Sequence, residues 1–287
     1  MTVQPKCAAM DTAFRLDRTL IRVSGPDSVA FLDNLLTQDV QKLARAGVQY
    51  AALLTPQGKV IADMLLWASA KSVIIECDPT RGGDLLRRLS MYKLRAQVTL
   101  DDVTAAYTAC FGLNAFPDAR PDPRLADGAL GWRMIASGAQ TSELSDGADI
   151  YDAHRLTLGV PDLARDALPD EVFAGEALLD ELSGVDFQKG CFVGQENVSR
   201  MKRRATTRKK FCPIVFEGDA PAFGTPLRAG AADLGAIRTG HGGRALALLR
   251  LDRALEAVAA NQSLEADGRR ARLNPPPWLI LPDADAP

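Results

Sequence analysis

The chain has 287 residues, 47% of them hydrophobic, with 34 Lys and Arg against 36 Asp and Glu and a formal net charge of −2. That length exceeds one compact domain and supplies a sizeable core, while the near-balance of charge excludes a whole-molecule field that would draw in nucleic acid or an anionic membrane. Five cysteines (Cys7, Cys77, Cys110, Cys191, Cys212) without a Cys-x-x-Cys pair, and two distant histidines (His154, His241), argue against a disulfide framework or a bound metal and fit a reducing compartment.

From the N-terminus, no apolar run has signal-peptide length, and none later approaches the roughly 20 residues of a membrane helix. The expectation is a soluble protein. Leu20 to Gly25 reads as a strand, and Pro26-Asp27 followed by Val29, Phe31, Leu32, Leu35 and Leu36 as an amphipathic helix. Tyr50 to Leu54, the turn Thr55-Pro56-Gln57-Gly58-Lys59, and Val60 to Trp67 form an expected hairpin. Val73 to Cys77 supplies a further strand, Arg81 to Leu94 a helix, and Gln97 to Leu100 the segment it leads into. Residues 113–131, with Pro117, Pro121, Pro123, Gly128 and Gly131, predict an exposed connection.

After Phe211, short apolar runs at Pro213 to Phe216, Leu234 to Ile237, Ala245 to Leu251 and Trp278 to Leu281, separated by Gly and Pro, predict a small antiparallel barrel or sandwich. Gly240-His241-Gly242-Gly243-Arg244-Ala245 formally fits a dinucleotide fingerprint. Too little chain follows it for a second strand-helix-strand half, so it reads as a hairpin turn.

The chemistry concentrates near residue 191. Eight acids (Asp162, Asp166, Asp170, Glu171, Glu176, Asp180, Glu181, Asp186) precede it, and seven of the eleven residues from Arg200 to Lys210 are basic. Such runs are ordinarily solvated faces. Gly190 and Gly194 bracket Cys191-Phe192-Val193 and let the backbone turn and approach a ligand closely. If Gln195 to Lys202 begins a helix, its positive dipole end, together with Lys189, favours a presented, partly ionised thiol. Cysteine is also commonly buried as a small apolar residue, and the residues alone leave that alternative open.

The string Phe187-Gln188-Lys189-Gly190-Cys191-Phe192-Val193-Gly194-Gln195-Glu196, continuing to Arg200 and Lys202, resembles the K-G-C-[FY]-x-G-Q-E signature of YgfZ-like proteins in the glycine-cleavage T-protein superfamily. Leu158-Gly159-Val160-Pro161 is similar to that family's Gly-[IV]-Pro element, and Thr55 to Lys59 followed by Asp63 to its early hairpin. The resemblance is weakest over residues 101–150.

It implies an α+β fold of three lobes around a central tetrahydrofolate funnel. Residues 1–209 would form a two-lobed folate-binding region carrying the motif, and 210–287 an antiparallel β-barrel. It further implies maturation or repair of iron–sulfur enzymes, including a tRNA-methylthiolating enzyme in bacterial relatives. Cys191 would be the essential thiol, and Asp63, Lys189, Gly190, Gly194, Gln195, Glu196 and Arg200 would contact folate. The implied partners are iron–sulfur assembly proteins or client enzymes, in the cytoplasm or, in a eukaryote, the mitochondrial matrix. Direct nucleic-acid binding is disfavoured, because no aromatic residue interrupts the basic run.

The alternative is a folate-dependent aminomethyl or one-carbon transferase. Against it, the transferase's Arg-Leu-Glu-x-Gly carboxylate is replaced in Arg155-Leu156-Thr157-Leu158-Gly159 by Thr157, and only Asp63 survives of the paired acids after the hairpin, its neighbour being Ala62.

Overall fold

A computed structural model describes residues 13–137, 141, 143–203 and 207–282; Cys7, Arg204 and the tail beyond Pro282 lie outside them. The chain divides into two compact units, one drawn from residues up to Leu32, Val40–Tyr50 and Met64–Tyr151, the other from Asp33–Asp39, Ala51–Asp63 and everything from Asp152.

In chain order the first half supplies β1 (Phe14–Leu16), β2 (Thr19–Ser24), α1 (Ser28–Leu35), α2 (Leu43–Ala46), β3 (Val48–Leu54), β4 (Val60–Ser69), β5 (Ser72–Cys77), α3 (Pro79–Tyr92) and β6 (Thr99–Asp102). β7 (Tyr107–Gly112), β8 (Arg120–Pro121), β9 (Trp132–Ser137) and α4 (Ala148–Leu158) follow. Two antiparallel sheets result, ordered β3-β4-β5-β2-β6 and β1-β7-β9-β8. Ile21 pairs with Ile75, and Ile75 in turn with Leu66, so three fully buried branched side chains cross the middle of the first sheet.

Sequence pattern accounts for α3 closely. Pro79 sits at its start, where a missing N–H costs nothing, Asp78 Oδ1 accepts from the Thr80 N–H at 2.9 Å, and Leu85 and Leu89 are buried. The helix begins two residues before Arg81 and ends at Tyr92, and the next strand is Thr99–Asp102 rather than Gln97 to Leu100.

The segment 113–131 departs from the expected exposed connection. Phe116, Asp122, Arg124, Gly128 and Leu130 are buried. Arg124 holds Asp122 in two parallel bonds, Nε to Oδ1 at 2.9 Å and Nη2 to Oδ2 at 2.6 Å, and its Nη2 also reaches the Tyr151 hydroxyl at 2.9 Å. Alongside, Arg133 donates to Glu76 Oε1, and Trp67 Nε1 donates to Glu76 Oε2 at 2.9 Å. Proline and glycine shape the path of this segment, but paired charges pull it inside.

The second unit continues with α5 (Leu163–Asp166), α6 (Gln195–Arg203), β10 (Lys209–Phe216), β11 (Pro226–Ala229), β12 (Ala232–His241), β13 (Arg244–Arg250), α7 (Leu251–Ala259), β14 (Leu264–Ala266) and β15 (Arg269–Leu273). Its six strands close a barrel in the order β10-β13-β12-β11-β14-β15, around Phe211, Ile214, Leu227, Ile237, Leu246 and Leu248. Gly240 opposes Ala245 and His241 opposes Arg244, so the fingerprint-like glycines form the β12–β13 hairpin turn.

Trp278 to Leu281 is not a barrel strand. It is a turn whose Trp278 indole donates to the Leu158 carbonyl at 3.1 Å, and β14 and β15 complete the barrel instead. Arg155, fully buried, fastens α4 to the barrel side: it donates to Asp152 at 2.6 Å, Asp166 at 2.8 Å and the Thr239 hydroxyl of β12 at 2.7 Å.

Candidate functional site

The motif loop hangs between two anchors, both inside the second unit. At its N-terminal end Lys189 turns inward. Its Nζ donates to the carbonyls of Asp33 (2.5 Å), Leu36 (2.8 Å) and Gln38 (2.8 Å) and lies 3.3 Å from the Asp33 carboxylate. Burial pulls the Lys189 ammonium below the usual lysine range, opposed by the nearby Asp33 charge. Thr37 fastens the same stretch, its hydroxyl donating to Gly184 O at 2.6 Å and its carbonyl accepting from the Asp186 N–H at 3.0 Å.

At the C-terminal end the loop lies on the turn of the β3–β4 hairpin. Gly194 has φ +85°, and a Cβ there would stand 2.6 Å from Thr55 O and 3.1 Å from Gly58 Cα. Asn197 Nδ2 donates to Gln57 O at 2.7 Å. Gly190 differs: it has no positive φ and a Cβ would meet nothing within 4 Å, so its requirement is not steric.

Between the anchors Phe192 is buried and Cys191 is exposed. Gln195 Nε2 donates back across the loop to Gly190 O at 3.3 Å. The expected helix is present as α6, with Glu196 in its first turn and Arg200, Lys202 and Arg203 in its last, which is the distribution that its dipole favours. Val198 is its buried contact with the hairpin turn. Glu196 and Arg200 are exposed, Arg200 donating to Asn197 Oδ1, and Asp63 is half-buried on β4. The loop thus gathers Lys189, Gly190, Cys191, Gly194, Gln195 and Glu196, whereas Lys189 spends its donors on backbone carbonyls behind them.

The charge runs are not simply solvated faces. Asp166 is buried against Arg155, Glu171 Oε1 accepts from Arg238, Glu176 Oε2 accepts from the Phe173 N–H, and Asp186 Oδ1 accepts from the Gln188 N–H. Glu181 meets Lys210 at 2.5 Å, and burial with Asp180 beside it raises its carboxyl to about 7. Among the described bases of the run, Lys210 is buried and Lys209 half-buried, Lys202 is exposed yet lies over the Phe187 ring 3.6 Å from Asp180, and Arg200, Arg203 and Arg208 are exposed as well.

The other described cysteines are inward. Cys77, Cys110 and Cys212 are buried, and burial pushes Cys110 up to about 11 and Cys212 up to about 12. Sequence reading missed the Asp33–Asp39 stretch as part of the site. Its contribution is mainly backbone carbonyls, which no side-chain pattern announces.

Residues 3–114 match the GCVT N-terminal domain family, and residues 208–280 match the family described as the CAF17 C-terminal beta-barrel domain. The chain is 32% identical over 285 residues to the mitochondrial iron–sulfur cluster assembly factor IBA57 of Homo sapiens, covering 85% of this chain and 79% of that protein. It is 32% identical over 282 residues to the Mus musculus protein of the same name, covering 83% and 77%. The glycine cleavage system aminomethyltransferase T of Bartonella henselae superposes with a TM-score of 0.71 at 15% identity, over 93% of this chain and 86% of that one, which establishes a shared fold. Two family matches in chain order, and relatives alike over most of both lengths, identify the chain as a member of the IBA57 family of iron–sulfur cluster assembly factors within the GcvT superfamily.

Proposed function

We propose that this chain acts in the maturation or repair of iron–sulfur enzymes through the thiol of Cys191, with tetrahydrofolate as its ligand and iron–sulfur assembly proteins or client enzymes as its partners. The observation that carries the reading is the contrast among thiols: Cys191 is exposed on a loop fixed at both ends, while Cys77, Cys110 and Cys212 are buried. An exposed thiol just before α6, a helix whose last turn carries exposed Arg200 and Arg203, suits exchange with an anionic partner or cluster. The relatives named mitochondrial suggest the matrix in a eukaryote and the cytoplasm in a bacterium.

Folate fits these residues in part. Thr157 offers no carboxylate, and its hydroxyl donates to Ala153 O at 2.9 Å within its own helix. Asp63 is the remaining acceptor suited to a pterin amino group, and the cations of α6 suit the ligand's glutamate tail. Bound tetrahydrofolate would supply a one-carbon carrier. The missing Glu disfavours the transferase alternative, and mass spectrometry of the protein with tetrahydrofolate, with and without an aminomethyl donor, separates the two.

Cys191→Ser tests the central reading. It should fail to restore iron–sulfur enzyme activity in cells lacking the native protein, and full complementation would remove the thiol from the function. Titration with tetrahydrofolate should show saturable binding weakened by salt; a flat isotherm with folded protein would eliminate the ligand.

A further inference from the structure

The Lys189 ammonium has three N–H donors and no acceptor. Three backbone carbonyls, of Asp33, Leu36 and Gln38, take them at 2.5–2.8 Å, and the side chain is 1% exposed. Asp33 and Leu36 lie at the end of α1, where helix carbonyls lack partners within the helix and the dipole is negative. The Asp33 carboxylate, 3.3 Å away, supplies a counter-charge. No donor remains for a sulfur atom, and the charge is met on the side where it is buried.

We propose that Lys189 is a positioning residue, which sets where the Cys191 thiol is presented by caging its own ammonium among the α1-end carbonyls, and which lends the thiol neither a hydrogen bond nor its charge. The proposal rests on Cys191 being the working thiol, and it goes beyond that reading in assigning the motif lysine to the loop's mechanics. Gly190, whose Cβ would touch nothing, is the joint between the caged residue and the thiol. At the other end Gly194 and Asn197 are held by the hairpin turn, so releasing Lys189 moves the loop's N-terminal tie back to the Thr37 contacts at Gly184 and Asp186.

The experiment uses the full chain as Lys189→Met, Lys189→Arg and Lys189→Ala. Iodoacetamide labelling of the Cys191 peptide is followed by mass spectrometry across pH, beside complementation in cells. Positioning requires the pH midpoint of labelling to stay at the wild-type value in all three, the limiting rate to change, and complementation to fall. Lys189→Arg must fail along with Lys189→Met, because arginine keeps the charge but its planar fork does not fit a three-carbonyl cage. Methylammonium added to Lys189→Ala should bring the limiting rate and melting temperature back toward wild type; this arm also decides the matter if the longer variants fold poorly.

A midpoint raised by about one unit or more in Lys189→Met and kept in Lys189→Arg would overturn the proposal, since that is the shift expected from removing a cation that faces the thiolate. Unchanged limiting rates in every variant would overturn it too. These labelling results stand whatever Cys191→Ser does in cells, so failure of the proposed function and failure of the positioning role read differently.

Discussion

The first unit and the motif loop each bury a cation, and they neutralise it differently. Arg133 and Arg124 face the carboxylates of Glu76 and Asp122 inside the first unit, and Arg133 keeps Nε and Nη1 buried without hydrogen-bond partners among the described residues. Lys189 faces mainly carbonyl oxygens and has all three donors used. Loss of Arg133 takes the nearest cation from a buried carboxylate, a cost that falls on the folded unit as a whole; loss of Lys189 frees uncharged backbone carbonyls, a smaller cost that falls on the loop they hold.

The sharpest way to break that contrast is Arg133→Met, which removes the nearest cation from the buried Glu76 and leaves it the Trp67 indole and the more distant Arg18 at 3.8 Å. It should cost about 3–5 kcal/mol in denaturant unfolding while leaving Cys191 labelling unchanged in the folded fraction. A loss below about 1 kcal/mol would place the cluster among weak surface pairs. Next comes Gly194→Ala, which forces a side chain into the left-handed region and against Thr55 O. It should cost about 1–3 kcal/mol and alter Cys191 labelling, unlike the Arg133 variant.

Glu181 sharpens the comparison through pH. Its carboxyl is raised from 4.5 to about 7 by burial and by Asp180, so between those values the folded chain holds a proton that the unfolded chain has released. Stability from this group therefore falls as pH rises from about 4.5 to about 7 and is flat above that range, by about 3 kcal/mol in total. Glu181→Gln should flatten that part of the melting-temperature profile, and an unchanged profile would refute the assignment. The smallest effect belongs to Cys191→Ser, an exposed substitution that should shift stability by no more than about 0.5 kcal/mol.

What the sequence made legible follows from where the signal resides. Glycines 190 and 194 and the unbroken run from Gln195 announced a loop and a helix, because those cues are local. The Asp122–Arg124 pair was hidden inside a Pro- and Gly-rich segment that reads as exposed, since burial there depends on Tyr151 and on the neighbouring Glu76–Arg133 pair far along the chain. The last barrel hairpin was missed because β15 is Arg-rich and carries no apolar run. Its one cue was Asp267-Gly268, both at positive φ, the pattern of a tight hairpin turn. The cage around Lys189 was illegible for a different reason: backbone carbonyls belong to every residue, and only the end of α1 and the bend after it bring these three together.

Barrel closure has a further consequence. A closed ring of strands offers no row of unpaired backbone groups, and β8, at the rim of the second sheet, is only Arg120–Pro121, short and with a residue that cannot donate. Neither the barrel nor that rim gives another chain a template for strand addition. A folding intermediate or a passing client is thereby denied the commonest route to fibrous association at these places, and recognition is left to the loops and helices, where specificity can be written in side chains.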